Sequence, residues 1–302
     1  MRSLLIGLST SKSLERFVLS NPLARRTSRR FVAGEELDEA LAAARVCNQA
    51  GMTVSLDYLG ENVASREDAV RAREMYFGVF DRIAQEKLDA NVSLKLTQLG
   101  IDFGDDFCAQ QTEPIIRHAA SLGNFVRLDM EGSSYTQRTV DIALLLRQKS
   151  EAVGTVIQSY LYRSEQDIRD LTAKGCRIRL CKGAYSEAPE VAFPRKEDVD
   201  KNFVKLMQIL LESGIYHAIA THDPAMIDAT KEFVARQKIA KDKFEFQMLY
   251  GIRADLQREL VRDGYRMRVY IPYGRDWFPY FMRRLAERPA NLIFLARNLF
   301  RN

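Results

Sequence analysis

The sequence predicts an α/β protein of the (βα)8 TIM-type barrel class, with an N-terminal helical extension and an extra C-terminal helix. Three observations predict it. From about residue 50 onward, eight short β-branched or apolar runs alternate with longer stretches of helical period. Helix-start and helix-stop residues separate the two kinds of segment. No Gly/Ser-rich linker, internal repeat or low-complexity stretch divides the chain. Parallel neighbours need a crossover helix between them, so eight strands each followed by a helix close into a barrel.

In chain order, residues 1–50 hold a helical pattern, chiefly Glu36 to Gln49, and are read as a cap. The barrel then fills residues 51–302. Its strands are expected at Thr53 to Leu59, Asn91 to Leu96, Phe125 to Met130, Thr155 to Leu161, Arg177 to Lys182, His217 to His222, Phe244 to Leu249 and Arg266 to Ile271. Helix starts are marked by Ser65, Thr136, Ser164 and the Asp223-Pro224 pair, where proline in the first turn loses no hydrogen bond. Helix stops are marked by Gly123, Gly175, Gly214 and Gly264. Trp277 to Glu287 follows the last strand, and after Pro289 a final helix is expected from Ala290 to Leu299.

Composition bounds the function. With 46% apolar and 28% charged residues the chain has ample material for a core, and disorder is not expected. The net charge of +5 reads as a solvated surface of mixed sign, because no dense basic stripe is present; nucleic acid is not expected as a partner. Cys47, Cys108, Cys176 and Cys181 lack Cys-x-x-Cys spacing and suggest free thiols in a reducing compartment. Three histidines supply no metal site. The start, MRSLLIGLSTSKSLERF, reaches charged residues too soon for a signal sequence or a span, so a cytoplasmic protein is expected.

A barrel collects its chemistry at the carboxyl ends of its strands. Here these carry Asp57, Lys95, Asp129 with Glu131, Gln158, Arg179 with Lys182, Thr221-His222, Gln247 and Tyr270. Lys95, flanked by apolar residues, must find a carboxylate or an anion. It is read as a structural partner of Asp129 or Glu131, as a clamp for a substrate carboxylate, or as a Schiff-base nucleophile. The Lys182-Gly183-Ala184 turn lets backbone N–H groups approach a phosphate. Without a G-x-G-x-x-G, any dinucleotide is held by barrel loops. Arg283 and Arg284, amid Trp277, Phe278, Tyr280 and Phe281, can grip a carboxylate. As a bland alternative, two adjacent arginines make a solvated helix face.

The strings SLKL, RLDMEG, VIQSYL, RLCKGAY, ATHD, EFQMLYG, RVYIPYG and YFMRRLAERPAN, in this order, resemble the proline dehydrogenase family, monofunctional bacterial type. The resemblance implies an enzyme that oxidises L-proline to 1-pyrroline-5-carboxylate by hydride transfer to FAD, the first step of proline degradation. It implies that Lys95, Arg283 and Arg284 bind the substrate carboxylate, and that Tyr270, Tyr280 and Leu249 pack on the ring. Asp129 and Arg179 become catalytic-site residues, Asp129 pairing with Lys95, and Glu287 joins the ion pairs around Arg284. Met130, Gln158, Arg179, Lys182, Gly183, Ala184, Thr221 and His222 become FAD contacts. Ser186 departs from the long bifunctional members, which have tryptophan there. The size of Tyr270 implies proline over hydroxyproline. Further implied are a membrane quinone as acceptor, a hand-over of product to pyrroline-5-carboxylate dehydrogenase, and peripheral contact with the inner face of the cell membrane. The first rival reading is a Schiff-base lyase or aldolase on the same barrel, with Lys95 or Lys182 as nucleophile, and the second a non-catalytic protein that binds nucleic acid or membrane through its basic carboxyl end.

Overall fold

The structure is a computed structural model that describes residues 29–287. Eight parallel strands close a barrel in sequence order, the eighth pairing with the first. They are β1 (Thr53–Tyr58), β2 (Ala90–Leu94), β3 (Val126–Leu128), β4 (Val153–Gln158), β5 (Arg177–Cys181), β6 (His217–Ala220), β7 (Phe244–Leu249) and β8 (Met267–Tyr273). The helices are α1 (Leu37–Gln49) before β1, then α2 (Arg66–Gln85), α3 (Asp105–Ser121), α4 (Ser133–Arg147), α5 (Ser164–Ala173), α6 (Lys196–Glu212), α7 (Pro224–Arg236) and α8 (Ala254–Arg262) between strands, and α9 (Trp277–Glu287) after β8.

All eight expected strands form, with ends moved by up to a few residues. Lys95 stands one residue past β2 and Asp129 one past β3. Ser65 caps α2 by accepting from Asp68 N–H, and Asp223 caps α7 with Pro224 in the first turn. Thr136 starts nothing: α4 begins at Ser133 behind Gly132, and Thr136 is buried inside it. There the Glu187 carboxylate takes over the capping task, accepting from Ser133 N–H at 2.8 Å. Gly123, Gly175, Gly214 and Gly264 each stand two residues past a helix, with φ from +67° to +82°. The helix expected over 290–299 and the first 28 residues lie outside the described residues.

The alternation inside the strands decides what the barrel encloses. Apolar positions such as Val54, Leu56, Val92, Leu94, Ile178, Leu180, Phe244 and Phe246 are buried outward, in one cluster with helix residues such as Tyr76, Phe80, Phe203 and Leu210. Most alternate positions are polar, among them Ser55, Asp57, Ser93, Arg127, Arg179, Glu245 and Gln247, and fill the lumen. Arg179 on β5 reaches Ser93 on β2 at 2.8 Å, a contact possible only through the interior. Parallel strands usually read as continuous apolar runs because both faces are dry; a charged lumen produces the period of two instead.

Helix α1 packs in the slot between β8 and β1. Its first turn is fixed by a capping box between Glu36 and Glu39. A second apolar cluster joins Phe31 and Val32 to Leu59, just beyond β1, and to Trp277, Phe278, Tyr280 and Phe281 of α9. That cluster seats α9 on the carboxyl-terminal side of the barrel.

Candidate active site

At the carboxyl end of the lumen two ion pairs lie side by side. Lys95 Nζ donates to Asp57 Oδ1 at 2.7 Å, with Lys95 6% and Asp57 1% exposed. Arg179 Nη1 donates to Asp129 Oδ1 at 2.7 Å, and the other Asp129 oxygen accepts from the Tyr270 hydroxyl at 2.6 Å. The Arg179 guanidinium also lies 5.1 Å from the centre of the Tyr270 ring. Below it, Ser93 Oγ accepts from Arg179 Nη2 at 2.8 Å and sits 3.0 Å from Ser55 Oγ.

The expected Lys95–Asp129 contact is therefore replaced. Both Asp129 oxygens are taken by Arg179 and Tyr270, and Lys95 turns one strand the other way, onto Asp57. Nor does Lys95 pair with Glu131, whose carboxylate accepts from the Thr97 hydroxyl at 2.7 Å and from Thr97 N–H at 3.2 Å. Sequence reasoning placed Asp57 on a strand end without giving it a role, and missed Ser55 and Ser93. The signal was present in the repeated Ser-x-acid and Ser-x-Lys alternation of VSLDY and VSLKL.

Titration follows from this packing. Burial opposes the charge of Lys95, but Asp57, Asp129 and Glu61 outweigh it and hold the ammonium above its ordinary range. Burial pushes the Asp57 carboxyl up against the pull of Lys95, with Asp129 adding to the rise. Burial likewise pushes Glu131 up to about 7. Burial and the carboxylates Asp129 and Asp57 raise the Tyr270 phenol well above its usual value, so its proton stays on the oxygen that donates.

The positions expected to hold a cofactor form an arc on the ends of β3 to β6. Met130, Gln158 and Thr221 are buried; Lys182, Gly183, Ala184 and His222 are partly so. Gln158 Nε2 donates to Met130 O at 3.1 Å and to Glu131 O at 2.9 Å. Its Oε1 is buried with no partner among the described residues, so an N–H donor from outside the protein fits there. Gly183, at φ +117°, lies so close to the Tyr160 ring that an added Cβ would meet it at 2.5 Å. The ring and this backbone make one side of the arc. Lys182 is not a lone cation: Asp200 lies 2.5 Å and Asp223 2.7 Å from its ammonium. His222 Nε2 accepts from Leu249 N–H at 2.8 Å, which orients both residues. The open acceptor of Gln158 suits the N–H of a flat heterocyclic imide, as in a flavin. Ser186 is exposed in the loop beyond the turn.

Tyr280 and Arg284 are both buried on α9, with the guanidinium 5.2 Å from the Tyr280 ring centre. The side chains of Arg283 and Glu287 lie outside the described residues, and the roles expected for them stay expectations.

The family model described as proline dehydrogenase matches residues 40–297. Proline dehydrogenase 1 of Bacillus subtilis (strain 168) is 42% identical over 301 residues, covering 100% of this chain and 99% of that protein. The proline dehydrogenase of Deinococcus radiodurans is 41% identical, covering 90% of this chain and 89% of that one. Among solved structures, proline utilization A (PutA) from Bdellovibrio bacteriovorus, inactivated by N-propargylglycine, superposes with a TM-score of 0.83 at 29% identity. That match covers 87% of this chain and 33% of the longer one.

Proposed function

Because the chain belongs to the proline dehydrogenase family, we propose that it oxidises L-proline to 1-pyrroline-5-carboxylate at the carboxyl-terminal mouth of the barrel, with FAD as its cofactor. The observation that carries this reading is the buried Lys95 ammonium, held charged at the mouth by Asp57 beside the Arg179–Asp129–Tyr270 network. An ammonium so held suits a substrate carboxylate. It argues against the aldolase reading, because a Schiff-base nucleophile must present a neutral amine.

Lys95, Arg283 and Arg284 bind the substrate carboxylate, while Tyr270, Tyr280 and Leu249 cover the apolar ring. The cations favour the unprotonated form of the substrate amine, the form whose lone pair assists loss of a hydride from the neighbouring ring carbon. Alignment of this kind is worth about 7–11 kcal/mol when the reacting atoms are well placed. Asp129 fixes Arg179 through one oxygen and Tyr270 through the other. Met130, Gln158, Arg179, Lys182, Gly183, Ala184, Thr221 and His222 would hold the flavin, and the open acceptor of Gln158 supports this assignment. Bound FAD supplies the two-electron acceptor.

Electrons pass on to a membrane quinone, and the product to a pyrroline-5-carboxylate dehydrogenase, in this proposal. Contact with a membrane would be peripheral: among the described residues no helix is long and apolar enough to cross one. The decisive experiment is a visible absorbance spectrum of the purified chain. A flavin spectrum that bleaches when proline is added without oxygen is the expected result. A colourless protein trapped by a carbonyl compound and borohydride would establish the aldolase instead.

A further inference from the structure

We propose that Asp57 is the positioning residue for substrate binding: through Lys95, and not by touching substrate, it holds the cation that receives the carboxylate. The inference rests on the proline dehydrogenase reading and extends it to a residue that this reading leaves without a task.

Three features of the site single out Asp57. Asp57 lies on β1 and Lys95 just past the end of the neighbouring β2, and Asp57 is in register with Ser93, two residues before the lysine. The ammonium therefore leans back and across one strand to make its 2.7 Å contact. Second, Asp57 is the carboxylate that the Lys95 ammonium touches among the described residues, while the contacts of Asp129 run to Arg179 and Tyr270. Third, Asp57 Oδ2 is buried without a partner among the described residues. A buried ion pair kept for stability alone is a poor bargain beside two apolar side chains, and a half-satisfied one is worse. An acid held in this state is explained if the cation it secures is needed charged.

Several charged groups face Lys95: Asp57 on β1, Glu61 after β1, and Asp129 after β3 raise its affinity for a proton, burial lowers it, and Glu131 after β3 feels the charge of the ammonium in turn. Removing Asp57 takes away the largest of the three carboxylate contributions and leaves burial in place. The ammonium then loses its proton at a lower pH, and the grip on an anion fades as the solution turns alkaline. Asp57→Asn keeps the shape and an acceptor oxygen, so this effect separates charge from packing.

The test is a calorimetric titration of the chain with cyclopentanecarboxylate, a ring acid without the reacting amine, from mildly acidic to mildly alkaline pH. Wild type, Asp57→Asn, Lys95→Met and the double variant are compared, with KM and kcat for proline measured alongside. Asp57→Asn is expected to weaken binding roughly 10- to 100-fold, to raise KM more than it lowers kcat, and to lose affinity more steeply than wild type as pH rises. In the Lys95→Met background the same change is expected to add nothing. Unchanged binding in Asp57→Asn, or an equal loss at every pH, overturns the inference, as does a further loss in the double variant. If Asp57→Asn alone does not fold, Lys95→Met and the double variant carry the decision by the same rule. A wild-type chain that neither binds the ring acid nor oxidises proline removes the underlying reading too, whereas normal wild-type turnover with an indifferent Asp57→Asn removes this inference alone.

Discussion

Two acids at opposite ends of the lumen are buried alike and behave oppositely. Glu245, near the amino end of β7, is 2% exposed and Asp57, near the carboxyl end of β1, 1% exposed. Glu245 takes Arg268 Nε on both oxygens at 2.8 and 3.0 Å, Gln247 at 2.5 Å and the Tyr216 hydroxyl at 3.0 Å. Burial would raise its pKa, yet Arg268 and these donors hold it below the ordinary value. Asp57 has Lys95 on one oxygen and no partner on the other among the described residues, and its carboxyl is raised. Burial sets the stakes, and the number of donors sets the sign. The lower acid is closed by the protein itself; the upper one secures a group that faces the mouth.

The sharpest way to break this contrast is to remove one arginine from each end. Arg268→Met strands Glu245 and is expected to cost about 3–5 kcal/mol of stability, read as a lowered urea midpoint, while turnover per folded molecule stays near wild type. Arg179→Met strands Asp129 with a similar loss of stability, but turnover is expected to fall by about 10²–10³-fold because the cation lies at the proposed reaction site. Equal kinetic damage from both variants would erase the distinction between the ends.

The same contrast appears in stability against pH. At the lower end His217 is buried, accepts Ile178 N–H on Nδ1 at 3.0 Å and lies 3.0 Å from Ser213 Oγ through Nε2. Burial and Arg127 depress it to about 3. Its unfolded form binds a proton first, so its contribution is present above about pH 6.5 and is lost as pH falls toward 3. Glu131, at the upper end, is raised to about 7, so the folded state keeps a proton that the unfolded state gives up near 4.5. That contribution is present below pH 4.5 and is lost as pH rises through 7. Each effect is on the order of a few kcal/mol. Denaturation followed across pH should show His217→Gln flattening the acid side and Glu131→Gln removing the loss of stability between about pH 4.5 and 7.

How much of this was legible beforehand differs between backbone and side chains. The eight strands were visible because β-branched runs and glycine stops are local signals, and each strand formed where it was expected. Thr136 failed as a start signal because its competitor is distant: Glu187, far along the chain, caps α4 by reaching Ser133. Within the site, Lys95, Asp129, Arg179 and Tyr270 were singled out and three of them do converge, but the partner of Lys95 was misjudged. Alternation tells which residues enter the lumen. It does not tell which of two flanking strands a long side chain leans toward, because Tyr270 and Arg179 compete for Asp129 from across the barrel.

A smaller effect probes the arc beside Gln158. Gly183→Ala puts a Cβ against the Tyr160 ring at a φ of +117°, a conformation that costs an L residue about 1–3 kcal/mol. Because this turn belongs to the proposed flavin arc and not to either ion cluster, the expected result is faster loss of flavin on dialysis with an unchanged pH profile of stability. Retention of flavin as in wild type would detach the turn from the cofactor.

The smallest and cleanest comparison removes one hydroxyl at each end. Tyr216→Phe deletes a donor to Glu245, and Tyr270→Phe a donor to Asp129, at 3.0 and 2.6 Å respectively. Each loss is worth about 1–3 kcal/mol for a bond to a charged group, and thermal denaturation should place the two variants near each other. Kinetics should not. Glu245 keeps Arg268 and Gln247, so Tyr216→Phe leaves proline turnover intact. Among the described residues Asp129 then keeps only Arg179, and with one oxygen released it is expected to draw Lys95 away from Asp57. Tyr270→Phe should therefore raise KM for proline while its ring still covers the substrate, and Tyr270→Ser, which removes the ring as well, should in addition improve the relative use of hydroxyproline. If Tyr216→Phe raised KM as much as Tyr270→Phe, the lower cluster would be part of the same machinery, and the division of the lumen into a structural floor and a reactive mouth would be wrong.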